Sequence, residues 1–358
     1  MLIVFFLYLL VQHASARTVG LTLIKWNSTT YAVAHHVYFM YQLLERSQIW
    51  NPVMLMDDYF APQFNIYGHQ YNAQKIRNVS NLDVVIEASG SYPTNKLKQK
   101  YPHIKFVHFN QGPFFMTNAV YLGQNKEMAT DIDRRFDAIW LTPQYKWQAE
   151  YISEYLRTDS WAITPYLWSP KRLNVKYNYQ KGTSNRVGTY ETNRGVFKMS
   201  LVPIMIANRA FRRHVNISYY ETPAVNRIWT DAFRKMINGL DIKVHAKPDL
   251  VDIPQHYSDK RIGTIVSHHL LNGLNYLHLE ALYMNMSLVH NSEYIKECGY
   301  YYPDFDIEEG ARVLRHAIET HDDNLQTYAT ASAKCLWKYA PENPVNLKLY
   351  ENLLNDLF

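Results

Sequence analysis

Short β-rich runs alternate with helical segments along most of this chain, and the series starts twice. The first series opens with a β-rich run at 18–24, a polar loop at 25–28, and a segment where Val33, Val37, Met40, Tyr41 and Leu44 recur at the helical period. Ser28 or Thr29 is placed to cap that helix. Further β-rich runs lie at 53–56, 82–87, 104–109 and 136–141, with helical segments at 93–100 and 143–156. Residues 58–80, rich in Tyr, Asn and Gln, break the pattern and read as a long connection. Alternation of this kind predicts a mostly parallel sheet with helices on both faces.

Around 161–181 the pattern changes. Pro165, Pro170 and a polar segment at 174–185 read as a linker between domains. The second series has β-rich runs at 186–190, 215–220, 242–245 and 262–266, with a turn at Glu191-Thr192-Asn193-Arg194-Gly195 and a helical stretch that Pro203 is expected to kink. The tail is helical over 311–320, 323–339 and 346–357. The expected fold is therefore α/β, with two doubly wound Rossmann-like domains facing a cleft. Its parts are an apolar leader at 1–16, an N-terminal domain at 17–170, a linker at 171–185, a C-terminal domain at 186–340 and a C-terminal helix at 341–358. A chain of 358 residues is long enough for two substantial cores. Ligands of open α/β sheets bind beyond the carboxyl ends of the strands, so the candidate loops are 25–28, 108–113, 191–198 and 268–275.

The formal charge is +5, from 37 Lys and Arg against 32 Asp and Glu, with no long basic run. Phosphate-bearing small molecules suit that balance, and nucleic acid is not expected as a partner. Cys298 and Cys335 are too few for a disulfide framework and lack metal-ligand spacing. The pairs His35-His36 and His268-His269 read as strand residues that point in different directions, without partners at zinc spacing, so no metal is expected. Residues 2–11 are apolar and are followed by Ala14-Ser15-Ala16, as at a signal-cleavage site, yet a charged n-region is missing. Cytoplasmic or membrane-peripheral localisation is the expectation, with the secretory pathway or export as the alternative.

Residues 263–306 are the most informative stretch. They read as strand, loop (Asn272-Gly273-Leu274-Asn275), helix over 276–283, strand from 287, and a polar turn at Asn291-Ser292. A loop feeding a helix N-terminus offers free backbone N–H groups and a positive dipole end to an anion such as phosphate. Glu280, further along that helix, can accept hydrogen bonds from ribose hydroxyls. An ordinary βαβ crossover with a solvated Glu uses the same residue types.

Leu279-Glu280-Ala281-Leu282, Leu288-Val289, Asn291-Ser292 and Gly299-Tyr300-Tyr301-Tyr302-Pro303-Asp304 together resemble the nucleotide-sugar glycosyltransferases of GT-B fold. A closer likeness covers most of the chain and is to a bacterial family of uncharacterised glycosyltransferase-like proteins. It includes Thr142-Pro143-Gln144, Pro165-Tyr166-Leu167-Trp168 and residues 193–206 and 267–306. The resemblance implies a metal-independent transfer of a sugar from a nucleotide diphosphate to a glycan, lipid or protein acceptor, and it leans towards retention at the anomeric carbon. It implies no cofactor, and peripheral membrane contact is a further expectation.

The resemblance also assigns residues. Glu280 is placed on the ribose, and Gly273, Leu274 and Asn275 occupy the loop that supplies backbone amides to the donor. Asn272 stands eight residues before Glu280, where the family has a second Glu, and is left to hydrogen-bond donor-sugar hydroxyls. Arg194 and Lys198 fit the cations on the diphosphate, although the usual spacing is not reproduced. His108, in the first domain, matches a histidine that faces the donor, and His268 follows the strand before the donor loop. Lys247-Pro248 lies near the presumed base pocket. Two other readings stand beside the enzyme: an exported two-lobed solute-binding protein, and a glycosyltransferase-like binder that has lost catalysis, as Asn272 suggests.

Overall fold

The computed structural model of the chain describes residues 16–23, 31–56, 63–66, 68–76, 78–88, 94–124, 136–173, 177–191, 197–212, 219–223, 235, 237–247 and 253–358. The leader up to residue 15, the 25–28 loop, Arg194 and Pro248 lie outside the described residues. Two compact units divide the chain: residues 1–169 with 339–358, and residues 170–338.

The first unit is built on eight strands: β1 (Arg17–Thr22), β2 (Trp50–Met56), β3 (Gln63–Ile66), β4 (His69–Lys75), β5 (Val84–Glu87), β6 (Lys105–Asn110), β7 (Ala138–Leu141) and β8 (Trp161–Ile163). Their order is β3-β4-β2-β1-β5-β6-β7-β8, parallel except for the β3–β4 pair. The helices are α1 (Tyr31–Leu44), α2 (Thr94–Lys100), α3 (Phe114–Gly123) and α4 (Ala149–Leu156). Strands β5 and β7 are almost wholly apolar because both faces of a parallel sheet are covered, while β6 mixes Phe106, Val107 and Phe109 with Lys105, His108 and Asn110. Phe106, Ile139, Leu141 and Ile152 form part of the resulting core.

Four details of this unit differ from expectation. Residues 63–75 form the antiparallel pair β3–β4 at the sheet edge, not a long connection. Tyr71 is buried there between exposed Gln70 and Asn72, so the polar composition belongs to an edge strand with one wet face. His35 and His36 lie on α1, not on a strand, and both are buried. Helix α3 and strand β8 had no counterpart among the expected elements, although β8 lies within the expected 17–170 domain.

Among the described residues the second unit has six parallel strands: β9 (Arg186–Gly188), β10 (Tyr219–Pro223), β11 (Val244–Lys247), β12 (Thr264–Val266), β13 (Ser287–His290) and β14 (Tyr300–Tyr301). Their order is β11-β10-β9-β12-β13-β14. The helices here are α5 (Leu201–Phe211), α6 (Ile253–Lys260), α7 (Tyr276–Tyr283) and α8 (Ile307–Trp337), while α9 (Pro344–Asn355) belongs to the first unit. Pro203 does not kink a helix: α5 starts at Leu201, so Pro203 sits in its first turn, where an N–H has no intrahelical acceptor. α8 runs unbroken through 321–322 because His321 faces inward, bonded to Tyr300 Oη and to the Asn285 carbonyl, each at 3.0 Å.

Two further differences belong to this unit. Residues 177–185 pack onto the second unit: Tyr177 donates to the Ile262 carbonyl (2.9 Å) and the Gly182 amide donates to Asp322 (2.8 Å). Cys298 and Cys335 do form a disulfide, with Cα atoms 6.4 Å apart, joining the turn before β14 to the end of α8. Both sulfurs are buried, and a separation of 37 residues gave the sequence no hint of the pairing.

Candidate functional site

In the second sheet the chain runs from β9 outward to β11, then returns to lay β12 on the other side of β9. The strand order reverses between β9 and β12, and the carboxyl ends beside such a reversal frame the ligand crevice of an open α/β sheet. Thr189-Tyr190-Glu191 follows β9, Ser267-His268-His269 follows β12, and Asn291-Ser292 follows β13.

Glu191 is the centre of a buried cluster there. The Ser267 hydroxyl donates to its Oε1, and His269 Nε2 donates to its Oε2 at 2.8 Å. His269 Nδ1 lies 2.7 Å from the Asn272 carbonyl oxygen, so both ring nitrogens face acceptors and the imidazole donates on both sides. His278 Nε2 is 2.7 Å from Ser267 Oγ, and its ring stacks on His269 with centroids 4.8 Å apart. Burial would by itself raise the Glu191 carboxyl, but the His269 charge, the hydrogen bonds from His269 and Ser267, and Lys198 outweigh it and hold the group below the usual carboxylate range. Burial, with the nearby charges of His269, His290 and Lys198, pushes His278 well down, so that ring is neutral. Lys198 pairs as an isolated antiparallel bridge with His269, and burial lowers its ammonium against the opposing pull of Glu191.

The loop wraps around the His269 ring. The His269 amide donates to Asn291 Oδ1 (2.9 Å), and Asn291 Nδ2 donates back to the His269 carbonyl (3.0 Å). Leu271, at φ 53°, turns the chain in the left-handed region. A Cβ on Gly273 would come within 2.9 Å of the Tyr294 ring and 3.3 Å of Ser292 Oγ, so the close approach there needs glycine. Asn275 caps α7, its Oδ1 accepting from the Leu277 amide at 3.2 Å. Among the described residues, the Gly273 and Leu274 N–H groups have no acceptor.

Three buried side-chain atoms at the same carboxyl edge also lack a partner among the described residues: Thr189 Oγ1, His268 Nε2 and Ser292 Oγ. A buried polar group left unpaired costs about 1–3 kcal/mol, so their gathering at a strand-order reversal marks a place for a polar ligand. His268 meets Tyr302 Oη through Nδ1 at 3.0 Å, and burial, reinforced by the His269 charge and opposed by Glu191, lowers it to about 4. It is a neutral hydrogen-bonding ring near pH 7.

Of the residues singled out from sequence, Lys198, His268, Asn272, Gly273, Leu274 and Asn275 come together around this cluster. Asn272 contributes its backbone carbonyl to His269. Glu280 lies on the buried face of α7 and is ion-paired with Arg172, whose guanidinium sits 5.1 Å above the Tyr276 ring. Arg172 belongs to the stretch read as linker and was missed. His108 lies on β6 of the first unit, opposite Glu87, with Nδ1 4.0 Å from Glu87 Oε1. Glu191, Ser267, His269 and His278 were missed as site residues. The signal was the place of Glu191 and of the His268-His269 pair directly after two strands, but strand order alone shows those strands to be neighbours. Among the described residues no group of three His, Cys, Asp or Glu is arranged to hold a metal ion, and no helix is long and apolar enough to cross a membrane.

Solved structures match the chain almost end to end. An α-glucosyltransferase in complex with UDP and a 13-mer DNA containing an HMU base has 10% identity and a TM-score of 0.61, covering 95% of this chain and 100% of its own. A structure described as trehalose-6-phosphate from E. coli bound with UDP-2-fluoro glucose has 10% identity and a TM-score of 0.56, covering 95% and 98%. A glycosyltransferase from Rickettsia africae ESF-5 has 11% identity and a TM-score of 0.54, covering 96% and 99%. At these identities the likeness carries the fold, which is GT-B. No curated protein matches by sequence. A family match spans residues 20–354, nearly the full length, and the chain belongs to the family described as "Protein of unknown function (DUF2827)".

Proposed function

We propose that this chain is a glycosyltransferase that moves a sugar from a nucleoside diphosphate to a glycan, lipid or protein acceptor, without metal or other cofactor and with retention at the anomeric carbon. The observation that carries the reading is the donor-type loop at the β9/β12 reversal, with two amides free of described acceptors, leading into the capped helix that bears Glu280. Cleaving a sugar–diphosphate bond builds negative charge on the leaving phosphate and positive character on the sugar. Lys198 and the Gly273 and Leu274 amides are the groups to meet the first, with Arg194 joining them on the resemblance. Glu280, oriented by Arg172, takes the ribose hydroxyls, while Asn272 and His268 serve sugar hydroxyls. His108 is kept as a donor-facing histidine on the resemblance alone. Neighbours crystallised with UDP or a UDP-sugar support the donor class.

The test is a binding titration of nucleoside diphosphates and their sugars against wild type and Glu280→Ala, with folding checked by circular dichroism. A lost charge-assisted hydrogen bond should weaken the best ligand about 10-fold or more. Unchanged affinity in a folded variant removes Glu280 from the site.

The Cys298–Cys335 disulfide supports a second reading of where the protein works. Disulfides persist in oxidising compartments, which favours export over the cytoplasmic or membrane-peripheral alternative and keeps a two-lobed solute binder in view. N-terminal sequencing of the native protein should then begin at Arg17, the first residue of β1. An intact Met1 would sink the export reading, and sugar transfer in a purified assay would sink the binder.

A further inference from the structure

We propose that Glu191 and His269 are positioning residues: they hold the 269–275 loop so that the Gly273 amide is turned outward to the diphosphate of the donor. This rests on reading that loop as the donor site. In a trans peptide, the carbonyl of one residue and the N–H of the next point in opposite directions. The Asn272 carbonyl is drawn inward to His269 Nδ1 at 2.7 Å, so the Gly273 N–H faces away from the ring. That N–H has no acceptor among the described residues, and the lack of a Cβ on Gly273 is what lets the loop lie this close to the Tyr294 ring and Ser292 Oγ.

The ring can do this only if it cannot turn. Glu191 Oε2 holds Nε2 from the far side at 2.8 Å, and Glu191 is itself fixed by the Ser267 hydroxyl, which His278 buttresses at 2.7 Å. The main chain of His269 is clamped by both polar atoms of the Asn291 amide and by the bridge to Lys198. At the end of the loop, Asn275 Oδ1 accepts from the Leu277 amide and fixes the start of α7. The cluster also settles the charge problem of a carboxylate in an anion site. Glu191 accepts from His269 and Ser267 and lies against the Lys198 ammonium, so an incoming diphosphate does not meet it as a bare negative charge.

Calorimetric titrations with UDP, GDP, ADP, CDP and dTDP and the matching nucleosides test the proposal on folded wild type, H269Q, H269N and the double variant E191Q/H269N. The amide nitrogen of Asn falls where Nδ1 lies, and that of Gln falls where Nε2 lies. H269Q should therefore lose about 10- to 100-fold in affinity for the diphosphate that wild type binds, with the nucleoside affinity unchanged. E191Q/H269N keeps a donor to Asn272 and leaves no buried unpaired charge, so it should stay within a few-fold of wild type for both ligands. Undiminished diphosphate binding in H269Q overturns the proposal. So does an equal loss for diphosphate and nucleoside, or a double variant as weak as H269Q. If wild type binds none of the diphosphates, the donor-site reading itself falls, and this inference with it.

Discussion

The two units are variations on one architecture, a parallel sheet clad by helices, yet their interiors differ in kind. The first is filled by Phe106, Trp140, Ile139, Leu141 and Ile152, and it also buries His35, His36, Glu87, Asn110 and Gln148, with burial lowering His36 to about 3. The second has an apolar cluster around Ile204, Val266 and Leu314, but its carboxyl edge is packed with Glu191, Ser267, His268, His269, His278 and His290. Replacing hydrocarbon by buried polar groups gains little net stability, because each hydrogen bond made in the fold replaces one made to water. The contrast teaches that the second sheet joins a carboxylate, Ser267 and two histidines into one buried hydrogen-bonded cluster at its carboxyl edge.

Acid should separate the units most. An unfolded histidine takes up its proton near 6.5, whereas folded His268 and His290 hold out until about 4. Between those values the unfolded chain binds more protons, so stability present above pH 6.5 is lost as the pH falls to 4. His278 and His321, also lowered, act in the same direction, as does the depressed Glu191 carboxyl at lower pH. The expected loss in the second unit is on the order of 5 kcal/mol, and hydrogen exchange resolved by unit measures it. An equal loss in the first unit, where His36 is lowered to about 3, would erase the contrast.

Phe106→Ala should reverse the ranking. It opens a cavity under β6 and lowers first-unit stability by about 3–5 kcal/mol in chemical denaturation, with little dependence on pH. Reducing Cys298–Cys335, or replacing Cys335 by Ser, should cost the second unit about 2–4 kcal/mol and leave exchange in the first unit unchanged. Ser267→Ala removes one hydroxyl between Glu191 and His278 and should cost about 1–3 kcal/mol, all of it in the second unit. A Ser267→Ala protein of unaltered melting temperature would mean the cluster is slack.

How much of this was legible depended on locality. Helix α7 was read to its ends because Asn275 is a good cap and the residues after it are good helix formers. β12 and β13 were read because short apolar runs sit between turn residues. The β3–β4 pair escaped because an edge strand with a wet face looks like a polar loop. The break expected in α8 came from a polar His321-Asp322-Asp323 patch, which the fold uses for tertiary bonds from Tyr300, Tyr179 and Gly182. At the candidate site the local half, 272–280, was visible. Glu191 was not, because it lies 76 residues from Ser267 in sequence and meets it only through strand order.

The chain leaves the first unit at residue 169 and returns to it at 339. The returning segment is structural: Trp50 Nε1 donates to Asn355, Ser47 to Glu351, Arg46 to the Pro341 carbonyl, and Tyr350 to the Pro165 carbonyl. On a ribosome, then, the first strands to emerge wait for the last helix, while the later-made second unit has all of its own sequence in hand beforehand. The order of synthesis and the order of completion are inverted. A chaperone that shields the early sheet would have its longest task here, and a chain stopped after 338 would carry a finished second unit and an unfinished first one.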